Sequence, residues 1–384
     1  MKLLFLSFYF EPDLSAGSFR ASSLLKHLSN KNLNITVIST MPNRYSSFLK
    51  KAESFENKNN TRIYRLELPP HKSGIVDQAI AFIAFYKKAM KIIKKEKYDA
   101  VYATSSRLFT AYLGAVVSKK MNIPLYLDIR DIFLDAIKDI ISPTLFFFIK
   151  PFLKYVENFT FNNAEHINLV SRGFEAYFLD RFSCNSYSFY TNGIDNEFLN
   201  KLPPSENSSS KKIILYAGNI GYGQGLDKII PYLAKKLPDY NFVCIGDGGR
   251  KEKLSIKSKD IKNIKLLNPM NREDLLKHYM ASDVLFIHLN DIPAYKKVLP
   301  SKIFEYAATE KPILAGVDGY AANFIEREIR NSRIFKPCDD EGAINALKSL
   351  TTSEKESRKD FIEKYSREKI MSKMADSIFK KLMR

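Results

Sequence analysis

A glycine-rich turn stands mid-chain, Gly218-Asn219-Ile220-Gly221-Tyr222-Gly223-Gln224-Gly225, between apolar Ile213 to Ala217 and amphipathic Leu226 to Leu237. Without a Cβ, glycine lets backbone N–H groups approach an anion closely, and the positive end of a following helix adds a dipole. Strand, glycine turn and helix in series therefore suit a diphosphate. The alternative is a turn kept glycine-rich for packing alone. A second group follows at Val298-Leu299-Pro300-Ser301-Lys302-Ile303-Phe304-Glu305-Tyr306-Ala307-Ala308, where Pro300 opens a helix and Ile303, Phe304, Ala307 and Ala308 face a core. Lys302 and Glu305 lie off that stripe. Their i, i+3 spacing permits a surface ion pair worth about 0.3 kcal/mol. Read as ligand groups, Lys302 neutralises diphosphate oxygens as a point charge and Glu305 accepts hydrogen bonds from a ribose diol.

The elements that must position these groups alternate. Residues Lys2 to Ser7 read as a strand, Ser18 to Leu28 as a helix and Ile35 to Ser39 as a second strand, one βαβ unit. Tyr98 to Ala103, Leu125 to Asp128 and His166 to Val170 continue as buried strands, with helical stretches at Ile75 to Lys95 and Leu108 to Met121. The pattern restarts at Ile213 to Ala217, through the glycine turn and the helix Leu226 to Leu237, to the strand Phe242 to Gly246. Between the halves, Leu202 to Lys212 is rich in Pro, Ser and Lys, which places a boundary near 200 to 212.

At 384 residues the chain suffices for two cores, and its composition is that of a folded protein rather than a disordered one. Cys184, Cys244 and Cys338 are far apart, with neither disulfide-framework nor zinc spacing, which fits a reducing cytoplasm. The apolar N-terminus meets Glu11 and Asp13 without a small-residue cleavage site and reads as a buried strand. No run reaches the roughly 20 apolar residues of a membrane helix. The formal charge of +18, shared between both halves, favours anionic partners: nucleotides, phosphorylated lipids, a membrane surface or nucleic acid. Against that stands an ordinary solvated basic surface.

The two chemical groups occur with Tyr9-Phe10-Glu11-Pro12-Asp13, Gly17 and Arg20, Asp128-Ile129-Arg130-Asp131, Val170-Ser171, Thr191-Asn192-Gly193-Ile194-Asp195 and Gly246-Asp247-Gly248. With this set the chain resembles the family-four retaining glycosyltransferases of the GT-B fold, in their bacterial O-antigen and capsule branch. The likeness spans most of the chain. It implies an α/β fold of two Rossmann-like, doubly wound parallel-sheet domains facing a central cleft: an acceptor-binding domain over 1–200 and a nucleotide-sugar-binding domain over 201–369. A final helix at about 370–384 would pack back on the first.

The resemblance implies that Gly218, Asn219, Ile220 and Gly221 meet the donor diphosphate, that Ser301 and Lys302 lie beside it, and that Glu305 binds the ribose. Gly17 and Arg20 would reach the donor from the first domain. The family's first glutamate is replaced by Lys297, and the basic residues usual after the glycine turn by Tyr222 and Gln224. Lys302, with Arg20, would then have to supply the positive charge. The family's chemistry needs neither metal nor cofactor, because basic side chains and backbone N–H groups stabilise the leaving diphosphate. Asp131 is the candidate for orienting the acceptor or stabilising charge at the sugar carbon, so Asp131 and Lys302 are the expected catalytic residues. Asp128, Asp131 and Asp135 could instead cap a helix or pair with Arg130.

The expected activity is transfer of a hexosyl or N-acetylhexosaminyl group from a nucleoside-diphosphate sugar, UDP-linked, to a surface-polysaccharide acceptor carried on a lipid. Two aromatic-basic stretches, Phe82 to Lys95 and Leu145 to Leu153, suit an anionic membrane interface and a peripheral place on the inner face of the plasma membrane. Packed helices with solvated lysines are the plain alternative. A nucleotide-dependent oxidoreductase is the enzymatic rival, with Asp247 as its ribose-binding acid, but it leaves Lys302 without a role. A nucleic-acid binder would use the charge together with 21 Tyr and 28 Phe, yet no recognised nucleic-acid motif accompanies them.

Overall fold

The computed structural model describes residues 1–43, 51–69, 75–105, 108–139, 141–182, 186–199, 211–351 and 356–382, without the side chains of Ile75 and Val76. Cys184 and nearly all of the stretch read as a linker lie outside them. The chain divides into two compact units, Met1–Thr191 with Lys369–Arg384, and Asn192–Glu368.

The first unit holds strands β1 (Lys2–Leu6), β2 (Asn34–Thr40), β3 (Phe55–Lys58), β4 (Thr61–Leu66), β5 (Ala100–Thr104), β6 (Leu125–Ile129), β7 (His166–Leu169) and β8 (Ser186–Ser188) in the order β3-β4-β2-β1-β5-β6-β7-β8. All neighbours are parallel except β3 with β4. Its helices are α1 (Ala16–Ser29), α2 (Ile75–Ile93), α3 (Leu108–Met121), α4 (Phe133–Lys138), α5 (Pro143–Asn162) and α6 (Glu175–Leu179). Strands β1, β5 and β6 bury residues on both faces, apolar apart from Thr104 and Asp128, because helices cover both sides of a parallel sheet. The hairpin β3–β4 carries no such run. Phe55-Glu56-Asn57-Lys58 is polar, and β4 alternates buried with half-buried residues, which is why the sequence does not announce it.

The second unit holds β9 (Lys212–Ala217), β10 (Tyr240–Ile245), β11 (Ile264–Leu267), β12 (Val284–His288), β13 (Ile313–Gly316) and β14 (Ser332–Phe335) in the order β11-β10-β9-β12-β13-β14, parallel throughout. With them run α7 (Leu226–Lys236), α8 (Lys251–Ser258), α9 (Arg272–Ala281), α10 (Lys302–Ala308), α11 (Tyr320–Glu328), α12 (Asp340–Lys348) and α13 (Lys359–Lys364). The chain winds outward from β9 to β11, then crosses to β12 on β9's other side. That reversal opens a crevice at the carboxyl ends of β9 and β12, where such sheets bind ligands.

The last helix, α14 (Arg367–Leu382), begins in the second unit and continues in the first. Its Met371, Met374, Ala375 and Ile378 share a core with Phe5 of β1, Leu24 and Leu28 of α1, and Tyr102 and Tyr126.

Candidate functional site

The glycine turn occupies the β9 side of the crevice. Gly218 has φ +142, and a Cβ there would lie 2.7 Å from the Lys302 Nζ. Gly246, at φ +150, is closer still to its neighbour: its Cβ would fall 1.8 Å from the Gly218 carbonyl oxygen. Glycine at both positions lets two loops run side by side, with the Gly218 N–H donating to the Ile245 oxygen at 2.9 Å and the Ile220 N–H to the Asp247 oxygen at 2.8 Å. Those two N–H groups are thus spent on the fold, contrary to a cradle in which all four residues of the turn offer theirs to an anion. The Gly221 N–H meets the Gln224 Oε1 at 3.2 Å, an oxygen that also accepts from the Asn219 amide at 2.7 Å. Gln224 thus folds its own side-chain carbonyl oxygen over the turn. Over the Tyr222 ring lies Arg250, 5.1 Å from the centroid.

Two residues at the end of β12 hold the turn from the opposite side, and the sequence reading missed both. His288 Nδ1 lies 2.6 Å from the Gln224 carbonyl oxygen, while its Nε2 accepts the Cys338 N–H at 2.9 Å. These partners fix a neutral ring protonated on Nδ1. Burial pushes its pKa down to about 4, so it stays neutral at physiological pH. Asn290 donates to the Tyr222 oxygen at 3.0 Å, accepts from Lys228 at 2.9 Å, and gives its own N–H to the Gly223 oxygen at 2.8 Å. A discernible signal existed: polar residues at the carboxyl end of an otherwise apolar buried strand.

Lys302 opens α10 two residues later than Pro300 had suggested, and Ser301, half-buried, caps it without a side-chain hydrogen bond. The Tyr306 hydroxyl accepts the Ala217 N–H at 2.8 Å, which fixes α10 against the end of β9. The Lys302 ammonium donates to the Tyr216 hydroxyl at 3.1 Å and lies 4.5 Å from that ring's centroid. Tyr216 in turn donates to the Asn219 oxygen at 2.6 Å. Among the described residues Lys302 has no salt bridge, and burial lowers its pKa to about 8, with Glu305 pulling the other way. A half-buried ammonium lacking a carboxylate partner suits an anionic ligand.

Glu305 does not pair with Lys302 in a surface bridge. It faces Arg272 of α9, whose Nη2 lies 3.6 Å from Oε1, and the Tyr279 hydroxyl, 3.4 Å from Oε2. Arg272 also donates to Asp195 and reaches Glu197 at 3.3 Å, while the Arg367 Nε meets the other Asp195 oxygen at 2.5 Å. Burial opposes the Arg272 charge, but Asp195 and Glu305 outweigh it and raise its pKa. Burial also raises the Glu305 pKa, with Arg272 opposing. The sequence offers no local sign of this network, whose members Asp195 and Arg272 are 77 residues apart.

In the first unit, Arg20 needs correction as a source of charge for the donor. It is 1% exposed, and its Nε and Nη2 donate to the two Asp128 oxygens at 2.7 and 2.9 Å. Nη1 and Nη2 also donate to the Thr191 and Tyr190 carbonyls at 2.6 and 2.8 Å. Asp128 further accepts from Asn168 and Tyr102 at 2.7 and 3.1 Å. Burial opposes the carboxylate, yet Arg20 holds its pKa below the usual range. Arg20 and Asp128 are a structural pair. Gly17 is buried in the first turn of α1, and the Ala16 carbonyl beside it accepts from Arg130 Nη1 at 3.2 Å. Asp131 is exposed at the C-terminal end of β6, and the cap of α4 is Ile132 rather than an aspartate. Arg130, between Asp128 and Asp131, has its pKa lowered to about 10 by burial and by Arg20. No helix among the described residues is long and apolar enough to cross a membrane.

Residues 200–368 match the family model described as glycosyl transferases group 1. No curated protein matches the sequence. Among solved structures, sucrose-phosphate synthase from Thermosynechococcus elongatus is similar over 100% of this chain and 98% of its own, with 14% identity and a TM-score of 0.74. The Anabaena protein HepE, solved in complex with UDP-glucose, is similar over 99% of this chain and 100% of its own, with 18% identity and a TM-score of 0.71. WaaG, a glycosyltransferase involved in lipopolysaccharide biosynthesis, covers 98% of this chain and 95% of its own, with 14% identity and a TM-score of 0.66. The fold is that of GT-B glycosyltransferases, as the sequence led us to expect.

Proposed function

We propose that the chain is a retaining glycosyltransferase that moves a hexosyl or N-acetylhexosaminyl group from a nucleoside-diphosphate sugar to a surface-polysaccharide acceptor of the O-antigen or capsule kind, carried on a lipid. One observation carries the reading. Lys302 sets a half-buried ammonium without a carboxylate partner against Gly218, at the crevice where β9 and β12 part. The diphosphate lies along the turn from Gly218 to Gly221, pairs with Lys302 beside Ser301, and displaces the Gln224 oxygen from the Gly221 N–H. Glu305, oriented by Arg272, accepts from the ribose hydroxyls. A UDP donor is favoured by the likeness to HepE, which was solved with UDP-glucose.

In the transfer, the acceptor hydroxyl attacks the anomeric carbon as the bond to the diphosphate breaks. The hydroxyl proton passes to a departing phosphate oxygen, on the same face, which preserves the configuration. Lys302 and the turn stabilise the negative charge that develops on the leaving group, so the scheme needs no metal or cofactor. Asp131 orients the acceptor hydroxyl or answers the positive charge at the sugar carbon. Transfer is tested by incubating the protein with UDP-sugars and a lipid-diphosphate acceptor extract, following UDP release and the anomeric proton coupling of the product. We expect release dependent on both substrates, retention of configuration, and no loss in EDTA. Inverted product, or no release with any donor, would overturn the reading.

A further inference from the structure

Helix α5 packs one side inward through Leu153, Val156, Thr160 and Phe161. On a soluble protein the opposite side would be polar. Here Phe147 and Phe148 are 73% and 72% exposed, and Phe152 and Tyr155 are 59% and 61% exposed. Phe148, Phe152 and Tyr155 recur at helical spacing, with Phe147 beside them, so they form one face rather than scattered residues. The charges beside that face are of one sign. Lys150 and Lys154 are exposed, whereas Glu157, the sole acid of α5, is buried and accepts the Tyr177 hydroxyl at 2.7 Å.

The neighbouring helix continues the character. Phe82 of α2 packs on Phe109, and Phe109 on Phe133, with centroids 4.8 and 6.0 Å apart. Phe109 and Phe133 border the small core around Leu153. Beside Phe82, Ile80 and Ile83 are exposed, and toward its C-terminus α2 exposes Lys87, Lys88 and Lys91.

We infer that the aromatic face of α5, with the adjoining part of α2, docks on an anionic membrane surface. Aromatic side chains flanked by lysines match a bilayer's interfacial layer, where apolar rings enter the acyl boundary and ammonium groups meet anionic head groups. A second copy of this chain fits less well, because a two-fold contact through α5 would bring Lys150 and Lys154 toward their own counterparts with no acid of that face to answer them. The inference does not rest on the transferase reading.

The chain contains no tryptophan, so Phe148→Trp places a single reporter on this face. With the full chain, vesicles of phosphatidylcholine and phosphatidylglycerol in equal parts should shift its emission to the blue and pellet the protein; phosphatidylcholine alone should do neither. The double change Phe147→Ser and Phe152→Ser should lower vesicle partitioning roughly ten-fold or more. Lys150→Gln with Lys154→Gln should lower it about ten-fold. Both double variants should keep the melting temperature and the far-ultraviolet circular dichroism of the unaltered protein, which separates loss of docking from loss of fold. No blue shift and no pelleting with anionic vesicles would overturn the inference. So would a dimer in sedimentation velocity that the serine variant dissociates.

Discussion

On the proposed function Lys302 is costly to the unliganded protein and useful to the liganded one. Its pKa of about 8 lies below the ordinary 10.5, so between those values the unfolded chain holds more protons than the folded one. The stability of the unliganded protein should therefore rise as pH climbs from about 8 to 10.5, while diphosphate affinity falls because the ammonium is lost. Calorimetric titration of UDP at pH 7 and pH 9 checks the second sign; equal affinity at both would remove Lys302 from the site. Lys302→Met should weaken UDP binding by about 2 kcal/mol, the worth of a charge-assisted bond, without lowering the melting temperature. Arg20→Ala should behave oppositely: it strands Asp128 uncompensated, costing about 3–5 kcal/mol of stability, and leaves UDP affinity of the folded fraction unchanged. Circular dichroism melts beside the same titration separate the two. That Lys302 and Glu305 share one short helix, off its apolar stripe, was legible from their spacing. Arg20 was misread, since sequence shows the charge but not the Asp128 partner that neutralises it across the sheet.

The elements explain why the turn needs its glycines. Gly246 serves close approach: Gly246→Ala would press a methyl into the Gly218 carbonyl and should cost more than about 3 kcal/mol, read as a lower melting temperature with the loss of UDP binding. His288 holds the same turn from β12. His288→Ala would leave the Gln224 carbonyl and the Cys338 N–H without their partner, for about 2–4 kcal/mol in denaturant melts, and should loosen UDP binding though the histidine touches no ligand. Strands β1, β5, β6 and β9 were readable as apolar runs because parallel sheets bury both faces. The hairpin β3–β4 was not, being an edge pair with polar residues. His288 and Asn290 escaped notice because turn chemistry is assigned to turn residues, whereas here the carboxyl end of a neighbouring strand completes the loop.

Over the whole molecule, the two units share a chain that passes between them twice, at Thr191–Asn192 and Glu368–Lys369. The second carries the groups we propose for a nucleotide-sugar; the first carries Asp131 and the aromatic face of α5. On the proposed readings the formal charge of +18 has uses on both: Lys302 at a diphosphate, and lysines of α2 and α5 at a lipid surface. Two similar α/β halves were evident from the repeated strand-helix rhythm. The assignment of their charges was not, because composition counts ammonium groups without telling which carboxylates answer them. The central claim is that the crevice between β9 and β12 binds a nucleoside-diphosphate sugar through the glycine turn, Lys302 and Glu305. A thermal-shift screen of UDP-, GDP-, ADP- and CDP-linked sugars against the unaltered protein, Lys302→Ala and Glu305→Ala tests it most directly. We predict stabilisation by a UDP-sugar, diminished by both substitutions; a best ligand that stabilises all three proteins equally would contradict the account.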